Sequence, residues 1–346
     1  MKILQIGSAL HDWGGIERYL LYAADSLAGR GHEVWATVPP GSPLDTRLTC
    51  RKVPIGLRRQ FQWTSVAPYL RLFKRERFDA VNVHFSPDYI VPAVAARIAK
   101  QQNLILTRHV VLPWKPYKVR RYTRLWEHFF CVSDAVRKEL ARSGVPEALM
   151  QVPKAGCPAL EPGSVLARPG VFGFFGRLAP EKGIDVAARA SYLAEVRLEV
   201  YGNGKNLDLF RSSFPYPSVE FKGRVEDVAD AMASVAAVVV PSVWEEAFPY
   251  SVLEAFSIGK PVLASISGGL PEMVEDGVTG FLHPKRDEKK LAEDMKRIMD
   301  DPDLCSKMGH QARELHRTEY TLEKMGERLE HAYTNVLARE PTPFPR

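Results

Sequence analysis

The sequence predicts an α/β protein with two doubly wound units, each a parallel sheet covered by helices, that face a cleft between them. Two observations support this prediction. Short apolar runs alternate with stretches of helical periodicity in the first half of the chain, and the same alternation starts again after a Pro- and Gly-rich segment, 155–170. Such alternation is typical of parallel strands joined by helical crossovers. At 346 residues the chain is long enough for two ordinary domains.

The first series of elements is predicted from apolar runs and from the amphipathic stretches between them. The predicted strands of this half are 2–7, 33–38, 79–84 and 103–107, and the predicted helices are 16–28, 64–77 and 88–100.

The second series starts after the Pro- and Gly-rich segment, which has the composition of a linker. Its predicted strands are 171–176, 196–202, 218–221, 236–241 and 261–265, followed by a helical region over 287–339 with a break at Pro302. We therefore predict a first domain over 1–160, a second over 161–320, and a C-terminal helix, 321–346, that returns to the first domain. In such sheets ligands bind beyond the carboxyl ends of the strands, so chemistry is expected in the loops that follow them.

Composition and charge narrow the possible classes of protein. No apolar stretch approaches the roughly 18 residues of a membrane-spanning helix, and the N-terminus lacks the pattern of a signal peptide. Four scattered cysteines favour reduced thiols and a cytoplasmic protein. Residues 1–154 carry 24 Lys and Arg against 12 Asp and Glu, whereas the remainder carries 23 against 29. This asymmetry indicates an anionic partner for the first half: a membrane surface, a phosphorylated glycan or glycolipid, or nucleic acid.

Two loops combine a strand end with groups that suit phosphate. Gly14 and Gly15 precede a predicted helix, whose free N–H groups favour a diphosphate, although a tight turn explains the pair equally well. The absence of Gly-x-Gly-x-x-Gly counts against a dehydrogenase. Arg177 and Lys182 follow the strand that ends at Gly176, and both cations suit phosphate oxygens. The alternative is a solvated turn with ordinary surface cations.

The most informative segment is 241–256. Glu246 lies in the turn after a buried strand, and Glu254 lies in the helix that begins near Pro249. One carboxylate can reach a sugar while the other reaches a ribose, and the open N–H groups near Tyr250 and Ser251 can hold phosphate. The alternative reading places both glutamates on a solvated helix face.

With these residues the chain resembles the family-4 retaining glycosyltransferases of the GT-B fold, whose units are Rossmann-like. The family signature is a Glu, seven residues and a second Glu, which Glu246 and Glu254 match in a context that includes Pro241-Ser242 and Phe248. Further matching motifs, in family order, are Gly14-Gly15, Arg177 with Lys182, Tyr201-Gly202-x-Gly204, Phe221-x-Gly223-x-Val225, Gly259-x-Pro261-Val262 and Gly268-Gly269-x-Pro271-Glu272.

The resemblance implies a role for each matching residue. Glu246 and His109 would be the catalytic residues, with Glu246 at the transferred sugar and His109 near the sugar and acceptor. Donor binding would involve Gly14, Gly15, Arg177, Lys182, Gly202, Gly223, Arg224, Val225, Phe248, Pro249, Tyr250, Ser251 and Glu254. No cofactor and no metal are implied, because Arg and Lys would replace the cation as the diphosphate clamp.

Two positions depart from the family pattern. Pro249 stands where many members have Gly, which removes an N–H that could meet a sugar hydroxyl. Asn82-Val83-His84 replaces a frequent His-x-His, and we interpret His84 as a strand-end core histidine. The predicted donors are UDP-sugars first and GDP-mannose next.

The acceptor side is read from two segments in which basic and aromatic residues interleave, 58–77 and 114–126. They suit an anionic membrane interface or an anionic glycan acceptor, and less well single-stranded nucleic acid. A solvated basic surface with partly buried rings is the alternative. Peripheral contact at the inner membrane face is therefore an expectation, with a glycan or lipid-linked acceptor and no nucleic acid. The rival functions are a nucleotide-sugar epimerase of the same fold and a non-enzymatic nucleic-acid-binding protein.

Overall fold

The computed structural model of the protein describes residues 1–59, 61–204, 207–214, 216–225 and 228–339. The chain divides into two compact units. The first contains Met1–Gly156 together with the segment that starts at Leu322, and the second contains Cys157–Thr321. Of the predicted C-terminal helix 321–346, residues 340–346 lie outside the described part of the chain.

The first unit is built on a sheet of seven parallel strands. These are β1 (Lys2–Ile6), β2 (Glu33–Val38), β3 (Arg51–Pro54), β4 (Ala80–Val83), β5 (Leu104–Arg108), β6 (His128–Cys131) and β7 (Met150–Gln151). Their order in the sheet is β3-β2-β1-β4-β5-β6-β7. The helices between them are α1 (Gly15–Gly29), α2 (Val66–Arg75), α3 (Val91–Ile98), α4 (Pro116–Leu125) and α5 (Asp134–Arg142). Strands β1, β4 and β5 are almost wholly buried, because helices cover both faces of a parallel sheet.

The second unit is built on six parallel strands. They are β8 (Val171–Phe175), β9 (Arg197–Tyr201), β10 (Val219–Gly223), β11 (Ala237–Val240), β12 (Val262–Ser265) and β13 (Gly280–His283). Their order is β10-β9-β8-β11-β12-β13. The helices are α6 (Ile184–Ala194), α7 (Leu207–Ser213), α8 (Val228–Ala233), α9 (Tyr250–Ser257), α10 (Glu288–Asp300) and α11 (Pro302–Leu315). The strand order reverses beside β8, so the loops after β8 and β11 flank the point where such sheets bind ligands.

The last helix, α12 (Leu322–Leu337), packs on α1 within the first unit. The two helices approach closely at Gly326, where a Cβ would lie 2.9 Å from Cδ of Arg30 and 3.2 Å from the carbonyl oxygen of Ser26. Glu330 of α12 forms an ion pair with Arg30, and its Oε1 lies 3.1 Å from Nε2 of His32. The described part of the chain has no helix whose length and apolar character would let it cross a lipid bilayer.

Candidate active site

The loops after β8, β9 and β10 stack on one another through their backbones. The N–H of Gly176 donates to the carbonyl of Tyr201 at 3.0 Å, and the N–H of Gly202 donates to the carbonyl of Gly223 at 2.8 Å. Gly202 has a φ of 148°, and a Cβ there would lie 1.8 Å from the carbonyl oxygen of Gly176. Only glycine permits this approach, so the predicted Gly202 has a structural role in shaping the strand-end loops.

The most specific contact of the second unit joins Lys182 to Glu246. Lys182 ends a short 3₁₀ turn after β8, and Glu246 lies in the loop after β11. The Nζ of Lys182 donates to Oε1 of Glu246 at 2.7 Å, and the hydroxyl of Ser242 donates to the same oxygen. The Glu246 side chain is only 10% exposed, whereas that of Lys182 is 26% exposed. The structure therefore brings two of the predicted site residues together, one cationic and one anionic.

Backbone contacts from two neighbouring loops fix Glu246 in this position. The N–H of Gly269 donates to the Glu246 carbonyl at 2.7 Å, and a Cβ at Gly268 would lie 2.0 Å from that oxygen. The carbonyl of Glu181 accepts from the N–H groups of Val243 and Trp244, at 3.0 and 3.2 Å. These bonds join the Lys182 turn to the Glu246 loop. Backbone hydrogen bonds therefore help to hold the two residues of the ion pair next to each other.

Arg177, the other predicted cation, is placed differently from Lys182. Its side chain is 68% exposed, and its Nη2 lies 2.8 Å from Oε1 of Glu181 within the same turn. An exposed pair of this kind contributes little stability. The Arg177 guanidinium is thus a surface group in the described structure, and a contact with diphosphate remains a prediction.

Helix α9 carries Glu254 one turn from its start. Pro249 is the N-cap residue, and Tyr250 and Ser251 are the first two residues of the helix, at the positive end of its dipole. Glu254 and Phe248 are buried, at 8% and 7% exposure. The alternative that placed both glutamates on a solvated helix face is therefore wrong, because the two carboxylates lie mostly out of water.

The remaining donor-binding predictions fall on the end of β10. Gly223 has a φ of 76°, Arg224 is exposed and Val225 is half-buried. Gly223 is linked to Gly202 by the hydrogen bond described above. A contact of these three residues with the nucleotide base remains a prediction.

The glycine pair of the first unit begins α1, with Gly14 as N-cap and Gly15 as the first helical residue. Both glycines are exposed, but the start of the helix already has an acidic neighbour. Glu17, at the third helical position, is buried, and its carboxylate lies beside the N-cap residue, since a Cβ at Gly14 would be 3.2 Å from Oε2 of Glu17. A carboxylate at this position beside the N-cap is the arrangement of a capping box. Burial raises the pKa of Glu17, although the backbone of Glu17 and Gly14 acts in the opposite direction. Sequence reasoning missed Glu17, although Gly-x-x-Glu at a helix start was the available signal.

His109 follows β5 and contacts a second histidine. Nδ1 of His84 lies 3.2 Å from Nε2 of His109, and the ring of Tyr19 packs edge-on against His109 with centroids 4.8 Å apart. His84 is 1% exposed, in agreement with its interpretation as a core histidine, and His109 is half-buried. Desolvation lowers the pKa of His84 to about 3.

The basic and aromatic segments differ from the interleaved surface that the sequence suggested. In the segment 114–126 three of the four rings are buried: Trp114, Tyr122 and Trp126. Tyr117 alone among them is exposed, at 54%, beside the exposed Arg120, Arg121 and Arg124 on α4. This helix face lines a groove of about 350 Å³ with Tyr117, Arg120, Arg121, Arg124 and Leu125. In the segment 58–77, Phe61 and Trp63 are exposed at 51% and 54%.

Comparisons with known proteins agree with this architecture. The family profile described as Glycosyltransferase Family 4 matches residues 13–154, and the profile described as Glycosyl transferases group 1 matches residues 169–301. An exopolysaccharide phosphotransferase of Streptomyces coelicolor is 30% identical over 177 residues, which cover 48% of this chain and 19% of that protein. Six curated relatives that share 30–40% identity are each matched over less than half of their own length.

Two further proteins are similar over most of the chain. The phosphatidyl-myo-inositol mannosyltransferase of Mycobacterium leprae is 26% identical over 319 residues, which cover 81% of this chain and 82% of that one. The crystal structure of Anabaena HepE in complex with UDP-glucose has a TM-score of 0.84 at 22% identity and covers 97% of this chain and 100% of that chain. Because the two family profiles together account for both units and the structural match extends over both, this chain belongs to the family-4 glycosyltransferases of the GT-B fold.

Proposed function

We propose that this protein transfers a sugar, with retention of anomeric configuration, from a nucleoside diphosphate sugar to a glycan or glycolipid acceptor. The pathway would be biosynthesis of a cell-surface polysaccharide or of a lipopolysaccharide-type glycan. The observation that carries the proposal is the contact between Lys182 and Glu246 at the strand ends of β8 and β11. It places a cation and a carboxylate side by side, and the donor needs both, since its diphosphate is anionic and its sugar becomes cationic during transfer.

The roles of the second unit follow from this charge arrangement. Lys182, together with Arg177 and the first N–H groups of α9, would neutralise the diphosphate. Glu254, one turn into α9, would accept a hydrogen bond from the ribose, and the backbone around Gly223 would hold the base. Glu246 would lie at the face of the sugar where positive charge develops. Such preorganised charges are worth about 3–4 kcal/mol each in comparable sites.

The reaction we propose uses no metal ion and no covalent nucleophile. The bond from the anomeric carbon to the diphosphate oxygen breaks, the acceptor oxygen attacks from the same face, and the leaving phosphate takes the acceptor proton. Fixed cations stabilise the charge on the departing oxygen. Transfer that continues in the presence of EDTA tests the metal-free clamp, and the anomeric configuration of the product, read by NMR, tests retention.

The donor is proposed from the names of similar proteins. UDP-sugars come first because the similar crystal structures of HepE contain UDP and UDP-glucose. GDP-mannose comes next because a mannosyltransferase of Corynebacterium glutamicum that is 32% identical over 180 residues is described as GDP-mannose-dependent. A panel of nucleotide sugars, scored by thermal stabilisation and by hydrolysis, decides between them, since a ligand that binds the folded state raises the melting temperature.

The acceptor side is proposed to be an anionic membrane surface with a lipid-linked or glycan acceptor. The exposed arginines of α4 and the exposed rings of Phe61 and Trp63 support it, since cations meet headgroups and rings lie at the interface. Reversing the charge of Arg120, Arg121 and Arg124 should abolish co-sedimentation with vesicles of anionic phospholipid at low salt. The matched control reverses the exposed Lys289, Lys296 and Lys307 of the second unit. If the variant with reversed charges on α4 still binds the vesicles, α4 is excluded as the membrane contact.

The epimerase alternative is not favoured, because the family and the relatives described above are transferases. An epimerase would convert the donor without any acceptor, which NMR of a reaction with nucleotide sugar alone would reveal. A nucleic-acid-binding role has only the basic first half in its support, and it leaves the buried Glu246 and Glu254 unexplained.

A further inference from the structure

A buried chain of polar side chains runs through the first unit from α12 to the end of β5. The hydroxyl of Tyr333 accepts from Nε2 of Gln5 at 3.1 Å and from Nδ2 of Asn82 at 2.9 Å. Oε1 of Gln5 lies 2.7 Å from Nε2 of His84. Nδ1 of His84 lies 3.2 Å from Nε2 of His109, which completes the chain.

Both histidines are neutral near neutral pH. Burial lowers the pKa of His84 to about 3. Burial, together with the neighbouring His84 and Arg108, holds the pKa of His109 well below its usual range. A neutral imidazole has one N–H donor and one bare nitrogen that accepts, and the partner of one nitrogen decides which is which.

The amide of Gln5 supplies that decision. The hydroxyl of Thr107 donates to Oδ1 of Asn82 at 2.8 Å, so the amide nitrogen of Asn82 is directed at Tyr333. In the structure Nε2 of Gln5 also donates to the Tyr333 oxygen, and this orientation of the Gln5 amide directs its oxygen at His84. An amide oxygen can only accept, so this orientation of Gln5 assigns the proton of His84 to Nε2.

The tautomer of His84 determines the tautomer of His109. With its proton on Nε2, His84 has a bare Nδ1, which can only accept, so the proton of His109 must be on Nε2. The second nitrogen of His109, Nδ1, has no hydrogen-bond partner in the described ranges of the chain. The edge-on ring of Tyr19 limits rotation of His109.

We propose that Gln5 and Tyr333 are positioning residues that hold His109 in the tautomer protonated on Nε2, so that its Nδ1 faces a ligand as a hydrogen-bond acceptor. A bare nitrogen accepts from a hydroxyl and repels an anionic oxygen. His109 would therefore meet a sugar or acceptor hydroxyl and not a phosphate oxygen. This last step rests on the proposed function, whereas the tautomer itself does not.

The test measures the tautomer directly in the full-length, ¹⁵N-labelled protein without any nucleotide. Long-range ¹⁵N–¹H correlations distinguish a protonated from a bare ring nitrogen, and His84→Gln and His109→Gln variants assign the signals. The expected result is a protonated-type shift for Nε2 and a bare-type shift for Nδ1 in both histidines. His109 protonated on Nδ1 would overturn the proposal, since it requires the opposite orientation of the Gln5 amide.

Two variants test the relay itself. Tyr333→Phe removes the hydroxyl that orients Gln5, and Gln5→Met removes the acceptor for His84, so in each the two ¹⁵N shifts of His109 should move toward a common average. Tyr69→Phe is the control, because it removes another buried hydroxyl of the first unit, bonded to Ser8 and Thr37. Unchanged His109 shifts in both relay variants would refute the positioning role. If His109 has the proposed tautomer but the protein shows no transfer activity, this proposal stands and only the proposed function is refuted.

Discussion

The ammonium group of Lys182 lies 2.7 Å from Oε1 of Glu246, although 64 positions separate the two residues in the sequence. Their loops meet because β8 and β11 are neighbours in a parallel sheet, whose carboxyl ends lie at one edge. Glu254, which completes the sequence signature, is positioned by a different element, helix α9. The two glutamates can therefore be tested separately.

We expect Glu246→Gln and Glu254→Gln to affect different kinetic constants. In the proposed reaction Glu246 stabilises charge in the transition state, so loss of its charge should lower kcat by roughly 100- to 1000-fold with KM for the donor little changed. In the proposed reaction Glu254 contacts the ribose throughout, so loss of its charge should raise KM about tenfold with kcat nearly constant. Steady-state kinetics with the preferred nucleotide sugar measures both constants.

The control for this pair is Glu245→Gln. Glu245 is adjacent in sequence to Glu246 but pairs with Lys285 and with the N–H of Gly268. It should leave kcat and KM close to those of the wild type. A Glu246→Gln enzyme with unchanged kcat would remove Glu246 from the chemistry.

Glu17→Gln tests whether the start of α1 meets the diphosphate. Glutamine preserves the capping geometry with Gly14 while removing a negative charge from the helix N-terminus. If the diphosphate binds there, the donor KM should fall by about two- to fivefold, the effect of a single charge at such a position. An unchanged KM, at unchanged stability, would mean that Gly14 and Gly15 form a capped helix start and no phosphate site.

Gly202→Ala should destabilise the second unit through a steric clash. The new Cβ would lie 1.8 Å from the carbonyl oxygen of Gly176, so the strand-end loops must move apart, at a cost of about 3 kcal/mol or more. Gly277→Ala is the matched control, because its φ of 77° is also positive but a Cβ there meets nothing within 4 Å. That control should cost only about 1–2 kcal/mol. Urea unfolding curves compare the two variants, and equal losses would refute the clash.

Glu199 should make the stability of the second unit depend on acid. Burial by itself would raise its pKa, but the paired bonds from Arg168, at 2.8 and 2.6 Å, and the hydroxyl of Tyr201 lower the pKa to about 2. A lowered folded-state pKa gives stability that is present above the unfolded value of 4.5 and is lost as the pH falls toward about 2. Acid unfolding followed by tryptophan fluorescence should show this loss. Glu199→Gln should be less stable at neutral pH and should lose less stability between these two pH values, and an unchanged pH profile would contradict the assignment.

The sequence predicted the strands that carry the site because they are buried and apolar. Strands β1, β2, β8 and β12 begin and end within one residue or so of their predicted bounds. Three strands of the first sheet were not predicted. β3 is an edge strand with exposed charges, β6 begins with His128 only two residues after α4, and β7 has only two residues, so none of them stands out as a separate apolar run.

The sequence predicted only part of the candidate site, because only part of it is local in the sequence. The Glu-x₇-Glu spacing and the cations after β8 are local in sequence, but the contact between Lys182 and Glu246 depends on the strand order of the sheet. The hydrogen bonds from Gln5 to His109 also join segments that are far apart in the sequence. The ring of Trp126 was predicted wrongly in the opposite sense. Its place among basic residues suggested an exposed ring, but the structure buries it.

The most direct test of the central claim is calorimetric titration of UDP and GDP into wild-type protein, Lys182→Ala and Lys285→Ala. Lys285 is a suitable control because it lies in the same unit and pairs with Glu245, the neighbour of Glu246. The account predicts that the preferred nucleotide binds the wild type and the Lys285 variant equally and binds Lys182→Ala roughly 10- to 100-fold more weakly, the value of a charged hydrogen bond. Equal affinity of all three proteins, or no binding of either nucleotide to the wild type, would contradict it.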